Sequence, residues 1–297
     1  MRAADLLPDL RHGAIRRDGL SLPYSEAGDG PPVLLLHGHP QSRAAWRRLA
    51  PRLLAEGFRV VAPDLRGYGE ADVPADAPDH AQMSKRTMAA DAVALLDALG
   101  IERAHVVGHD RGARVGHRMA ADHPGRVASL AVLDVAPTKA MYEGTTMGFA
   151  RDYVWWFLLI QPAPFPEELI AADPARFLRR HLAGQTAGAP DAVEPAALAH
   201  YERCYVPARV HAICEDYRAA ATIDLAHDAE GARVAAPVLA LWSASGAVGR
   251  HFDVAATWRA LADRVEAHPL DAPHALPEAA PDAVAARLIP FLRRHAP

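Results

Sequence analysis

The chain has 297 residues, of which 51% are hydrophobic and 23% charged. That supports a large buried core without a metal or disulfide staple, and it excludes a mainly disordered chain. Lys and Arg number 32 against 36 Asp and Glu, a formal charge of −4 that offers no footprint for nucleic acid, so an anionic ligand would need a local cationic site. In chain order, residues 33–36 read as a strand, bounded by Pro31-Pro32 and His37-Gly38. A helical stretch over 45–56 leads to a strand at 58–62, and a helix over 85–99, stopped by Gly100, leads to a strand at 105–107. Residues 113–121 are helical, and strands follow at 130–133, 238–242 and 264–268, with helices at 254–262 and 281–294. Continuous apolar strands separated by helices predict a mostly parallel α/β sheet, doubly wound. Between 137 and 228 strand signals vanish; helical and aromatic residues dominate, broken by Gln161-Pro162-Ala163-Pro164-Phe165-Pro166 and by a flexible stretch at 184–190. The expected organisation is a core of residues 1–136 and 229–297 with a helical cap inserted at 137–228. Such insertions close over the carboxyl ends of strands, where ligands bind in open α/β sheets.

The two cysteines, Cys204 and Cys214, exclude a disulfide scaffold and a CxxC zinc site, so a reduced, cytoplasmic setting is expected. Asp5 and Asp9 interrupt the N-terminus, which argues against a secretory leader. The most apolar cluster, residues 154–160, is far shorter than the ~18 residues of a membrane span.

Gly108-His109-Asp110-Arg111-Gly112-Ala113 lies at a strand-to-helix junction. Small residues on both sides of a nucleophile permit a sharp turn that lifts one side chain above the sheet. Here that side chain is Asp110 rather than a serine. A carboxylate suits displacement at a saturated carbon, forming an alkyl-enzyme ester. The bland alternative is an aspartate that caps the following helix.

At these residues the chain resembles the α/β-hydrolase family and, within it, the haloacetate (fluoroacetate) dehalogenases. The resemblance runs through His37-Gly38-His39-Pro40-Gln41, Asp64-Leu65-Arg66-Gly67-Tyr68-Gly69 and the elbow with Arg114. It continues through Leu133-Asp134, Gln161-Pro162-Ala163-Pro164, Cys214-Glu215-Asp216-Tyr217-Arg218 and His274-Ala275-Leu276-Pro277-Glu278. The elbow run and the Cys-Glu-Asp-Tyr-Arg run are the more specific; the first two motifs are shared across the superfamily. The resemblance implies an α/β-hydrolase fold and, with no metal or organic cofactor, hydrolysis of a short 2-haloacid. It implies homodimers only by analogy.

An alkyl-enzyme ester needs water activated by a general base. His274, in the loop before the final helix, matches the family's catalytic histidine; His251, His268 and His295 are late competitors outside that loop context. The strand at 238–242 is followed by Ser243-Ala244-Ser245-Gly246, which holds no acid. The resemblance therefore points to Asp134 as the carboxylate that orients the base. The oxyanion is expected to meet the backbone N–H groups of His39 and Arg111. Pro40 is expected to fix the His39 loop, with a cis bond as one way of doing so.

Arg111 and Arg114 are spaced to face the pocket mouth together, and a guanidinium pair suits a carboxylate. The resemblance assigns them the substrate carboxylate; pairing with a local acid is the competing role. It assigns halide binding to a His-Trp pair and a cap tyrosine, which fall here on Trp155, Trp156 and Tyr217. Trp155 stands where the family has histidine, and Gln185 where it has an aromatic residue. Core packing is the alternative for all three rings. Two other functions stay open. An epoxide hydrolase would use the same acid and base with paired cap tyrosines drawn from Tyr142, Tyr153, Tyr201, Tyr205 and Tyr217. A hydrolase-fold protein that binds a small ligand without turnover is the other.

Overall fold

The fold is that of a computed structural model, which describes residues 1–187, 189 and 192–297. Gly188 and Pro190 of the expected break at 184–190 lie outside the described residues, as does Asp191. One eight-stranded sheet carries the molecule, in the order β1-β2-β4-β3-β5-β6-β7-β8. Its strands are β1 (Arg11–Arg17), β2 (Leu20–Ala27), β3 (Pro32–Leu36), β4 (Arg59–Pro63), β5 (Ala104–His109), β6 (Val127–Leu133), β7 (Val238–Ser243) and β8 (Val265–Leu270). From β4 to β8 every pairing is parallel.

β3, β5 and β6 are buried along nearly their whole length, because helices cover both faces of the sheet. Their side chains alternate between two apolar cores. Leu34, Leu36, Val106, Leu130 and Val132 face one, and Val33, Leu35, Val107, Ala131 and Leu133 face the other.

β1 and β2 are an addition to the expected strands. They form an antiparallel hairpin that continues onto β4. β1 reads Arg-His-Gly-Ala-Ile-Arg-Arg, with residues alternating between exposed and half-buried, so it lacks the continuous apolar run of the central strands. Its readable signal is the two-residue loop Asp18-Gly19, with φ values of 53° and 80°. Asp-Gly is a favoured pair for a tight hairpin turn with both residues at positive φ.

The single helix expected over 45–56 is split. A 3-10 turn, Arg43–Arg47, precedes a helix, Ala50–Ala55, which carries Pro51 in its first turn. The pyrrolidine ring has no N–H to continue the earlier turn. Between β6 and β7 helices succeed one another from Thr138 to Ala229, with no strand among the described residues. No helix among them is long and apolar enough to cross a membrane.

Candidate active site

β5 ends at His109, and the helix Arg111–Asp122 begins two residues later. Asp110 occupies the corner with φ 48° and ψ −114°. Strain at a corner like this persists only where the surroundings hold it. The residues two positions before and after it must be glycine. A Cβ on Gly112 would stand 2.1 Å from the Leu36 carbonyl oxygen, and one on Gly108 would stand 2.4 Å from the Ala113 Cα. A Cβ on Gly38, in the opposing loop, would stand 2.6 Å from the Asp110 Cβ. The turn thus delivers the Asp110 carboxyl to the carboxyl edge of the sheet.

Three expected residues meet there. The His274 Nδ1 lies 2.5 Å from the Asp134 Oδ2, and its Nε2 lies 4.0 Å from the Asp110 Oδ2. Asp134 follows β6 with φ 56°, and its Oδ1 accepts the Ser243 N–H at 2.7 Å. That second bond fixes the carboxylate, which in turn fixes the imidazole. The His274 carbonyl accepts from the His109 ring at 2.9 Å, so the His274 loop is tied to β5. Burial would raise the Asp110 pKa, yet the facing His274 and the nearby Arg111, His109 and Arg114 outweigh it and hold the carboxyl well below its usual range. Burial would lower the His274 pKa, and the Asp134 carboxylate, with help from Asp110, raises it above the ordinary imidazole value.

The His39 N–H donates to the Asp110 Oδ1 at 3.1 Å. Arg111 opens its helix, so its N–H belongs to the first turn, whose donors a helix leaves open. The His39–Pro40 bond is cis. The His39 imidazole is enclosed: its Nδ1 lies 3.2 Å from the Tyr217 hydroxyl and its Nε2 lies 3.4 Å from the Tyr205 hydroxyl. Burial pushes its pKa down to about 4, so the ring is neutral.

Arg111 and Arg114 do not face the pocket mouth, as their spacing suggested. Both are buried, because the helix Pro207–Ala221 and the rings of Trp156 and Tyr217 close over the first turn that carries them. The Arg111 Nε and Nη2 donate to Asp216 at 2.7 and 2.9 Å. Asp216 also accepts the Tyr68 hydroxyl at 2.5 Å and the Lys85 ammonium. Arg111 lies 4.0 Å over the Tyr217 ring, and Arg114 lies 4.3 Å over the Trp156 ring. Arg114 donates to the Thr138 hydroxyl at 2.9 Å. The Arg111 Nη1 and the Arg114 Nε have no partner, although both are buried. A buried donor left unsatisfied is costly.

A cavity of about 230 Å³ lies in front of Asp110 and His274, with Arg111 and Arg114 behind its lining. Asp110, Asp134, His274 and Ser243 line it from the sheet side, while Tyr153, Trp155, Trp156, His181, Gln185 and Tyr217 line it from the helices between β6 and β7. The Trp156 Nε1 is buried without a partner. Trp155 packs edge-on against Phe177, with ring centroids 4.9 Å apart, and tilts over His181 at 4.8 Å. Gln185 joins two loops: its side chain donates to the His39 carbonyl at 2.7 Å and its carbonyl accepts the Ala275 N–H at 3.0 Å. Asp216, Lys85, Tyr68 and His181 were not singled out in the sequence. Asp216 carried a signal as the neighbour of Tyr217 in the Cys-Glu-Asp-Tyr-Arg run, and Tyr68 as a member of the Asp64–Gly69 run. Lys85 and His181 come from segments with no motif of their own. Among the described residues, no group of three or more His, Cys, Asp or Glu is placed to hold a metal ion.

A doubly wound sheet with an acid on the elbow after β5, a histidine in the last loop and a second acid after β6 has the plan of a nucleophile, base and orienting acid. The family model for the alpha/beta hydrolase fold matches residues 31–281, and the chain belongs to that family. It is 47% identical over 234 residues to the fluoroacetate dehalogenase of Burkholderia sp, covering 78% of this chain and 77% of that one. It is 32% identical to the soluble epoxide hydrolase of Corynebacterium sp. (strain C12), over 93% of this chain and 95% of the other. The crystal structure of an alpha/beta hydrolase from Nostoc sp PCC 7120 superposes with a TM-score of 0.93 and 48% identity, covering 96% of this chain and 99% of that one.

Proposed function

We propose that the protein is a hydrolytic dehalogenase of short 2-haloacids, with residues 137–228 acting as the cap over the core. The observation that carries this reading is the pair of unsatisfied, buried guanidinium donors on Arg111 and Arg114, one and four residues after the aspartate on the elbow. The chemistry begins when the substrate carboxylate accepts from these donors, which places its α-carbon before Asp110. The ionised Asp110 carboxylate attacks that carbon. A C–O bond forms, the carbon–halogen bond breaks, and its electron pair leaves with the halide toward Trp156, Tyr217 and Trp155.

Water occupies the gap between His274 and Asp110 and adds to the ester carbonyl carbon. Its proton passes to the His274 Nε2, and Asp134 stabilises the imidazolium. The oxyanion takes hydrogen bonds from the backbone N–H groups of His39 and Arg111. Collapse expels the 2-hydroxyacid, whose oxygen recovers the proton from His274; Asp110 is left as a carboxylic acid and releases the water's second proton to solvent, which its low pKa favours. Chloroacetate would give glycolate and chloride.

The test is release of free halide from fluoro-, chloro- and bromoacetate, followed against Asp110→Asn and His274→Asn variants. Expected are halide release by the parent protein, none by Asp110→Asn, and an enzyme mass increased by one carboxymethyl group in His274→Asn. Full activity in Asp110→Ala would overturn the role given to Asp110.

One observation favours a second reading. The phenols of Tyr153 and Tyr217 share the cavity, as paired tyrosines would in an epoxide hydrolase. Diol formation from a small epoxide, with no halide release from any haloacid, would select it. The guanidinium pair weighs against it, since an epoxide carries no charge to meet it.

A further inference from the structure

The cavity has a charge problem along its length. Asp110, Asp134 and Asp152 all line it, and three carboxylates repel an arriving acid. Arg111 and Arg114 lie too deep to meet a ligand still in solvent. Among the described lining residues the one guanidinium is Arg250. It sits on the short helix Ala247–His251 that follows β7, and its side chain is 53% exposed.

The Arg250 Nη2 lies 3.1 Å from the Asp152 Oδ2, and the His251 Nε2 lies 2.9 Å from the same oxygen. His251 is itself held edge-on against Phe149, with ring centroids 5.7 Å apart. Asp152 ends the helix Met147–Asp152, so the contact bridges the two walls of the entrance. A carboxylate thus already rests against this guanidinium, and it demonstrates the geometry a free carboxylate would take there. Because His251 also holds Asp152, that acid keeps a partner when Arg250 turns to another anion. Arg151, with its Nε 3.9 Å from the Asp152 Oδ1, stays beside that acid as well.

We propose that Arg250 is an external docking point for the substrate carboxylate, with Asp152 as the intramolecular acid that the substrate displaces before it moves inward to Arg111 and Arg114. The inference rests on the anionic substrate proposed above, and it adds a second carboxylate subsite at the cavity mouth. Arg250 takes no part in bond-making; it raises the local concentration of anions and selects them over neutral analogues.

The test uses acetate, an anion that cannot react, so it does not depend on turnover. Its association rate is read by stopped-flow fluorescence of the cavity tryptophans, with acetamide as the neutral control. One full charge at contact distance in water is worth roughly fivefold in a rate or equilibrium. Arg250→Gln is therefore expected to slow acetate entry by about three- to fivefold at low ionic strength. It should flatten the salt dependence and leave acetamide entry unchanged. Arg250→Lys should restore most of the rate, and Asp152→Asn should raise it. Equal acetate rates in the parent and Arg250→Gln would overturn the proposal. So would a slower rate in Asp152→Asn, or no acetate binding to the parent protein at all. Halide release by the parent together with equal acetate rates would leave the dehalogenase reading standing and this one refuted. Steered acetate entry without halide release would do the reverse.

Discussion

The Asp216 carboxylate is wholly buried and serves two buried cations, Arg111 and Lys85, together with the Tyr68 hydroxyl. Burial would raise its pKa, but Arg111 and Lys85 outweigh that and hold it well below the usual range, so it is ionised. Its charge keeps Arg111 and Lys85 from facing each other uncompensated. Removing one partner of a buried ionic group costs about 3–5 kcal/mol. Asp216→Asn should therefore lose stability of that order in urea unfolding, whereas a loss under about 1 kcal/mol would mean that water already compensates the cations. His274 makes a different prediction. Its pKa is raised by Asp134, so the neutral base required for ester hydrolysis forms only above that raised value. Turnover should fall on the acid side with a midpoint above the ordinary imidazole value of about 6.5. A steady-state pH profile whose acid limb lies below 6 would show that His274 is not the base.

The elbow between β5 and the helix Arg111–Asp122 was legible in the sequence because its constraint is local: three small residues bracket one acid within six positions. Gly112 shows how tight that constraint is. An added Cβ would stand 2.1 Å from the Leu36 carbonyl oxygen and 2.5 Å from the His37 carbonyl oxygen, both backbone atoms that cannot rotate away. Gly112→Ala should push the helix off β3 and cost about 1–3 kcal/mol. Displacing Asp110 by even about 1 Å should lower turnover on the order of 100-fold. Gly125→Ala is the control, since a Cβ there meets nothing within 4 Å. Equal halide release by both variants would mean the elbow tolerates a side chain. The β1–β2 hairpin was not legible in the same way. β1 is half-exposed and charged and β2 mixes polar and apolar residues around a proline, so neither has the apolar run of a buried parallel strand, and the Asp18-Gly19 turn was the one local clue. The mouth-facing placement expected of Arg111 and Arg114 failed for a third reason. Helical spacing fixes which face they share, but the residues that bury that face, Trp156, Asp216 and Tyr217, lie far along the chain.

At the scale of the whole molecule, three motifs that are far apart in sequence converge on Glu278. It lies in the short helix Leu276–Ala279, two residues after the His274 loop turns, and it is fully buried. Its Oε2 accepts from the Gln41 side chain at 2.8 Å, which ties it to the loop that carries the His39 N–H. Its Oε1 accepts from Arg47 and, at 3.0 Å, from the Tyr201 hydroxyl on the helix Pro195–Cys204. One carboxylate thus links the His274 loop, the His39 loop and the helical insertion. Glu278→Gln would keep the shape and remove the charge. One end of the amide would then present N–H groups to donors, either to the Gln41 amide or to Arg47 and Tyr201, and a buried donor would lose its acceptor. The expected loss is about 2–3 kcal/mol, since bonds to a charged group exceed neutral ones. Tyr201→Phe alone should cost about 1 kcal/mol, and the double variant should cost less than the sum, because the two changes break one shared bond. Urea unfolding followed by tryptophan fluorescence measures all three. Strict additivity would show that the insertion is held elsewhere, by Arg47 and Arg48 on Glu194 or by Lys85 on Asp216. Coupling of about 1 kcal/mol or more would mean that the acid beside His274 also holds the insertion against the core.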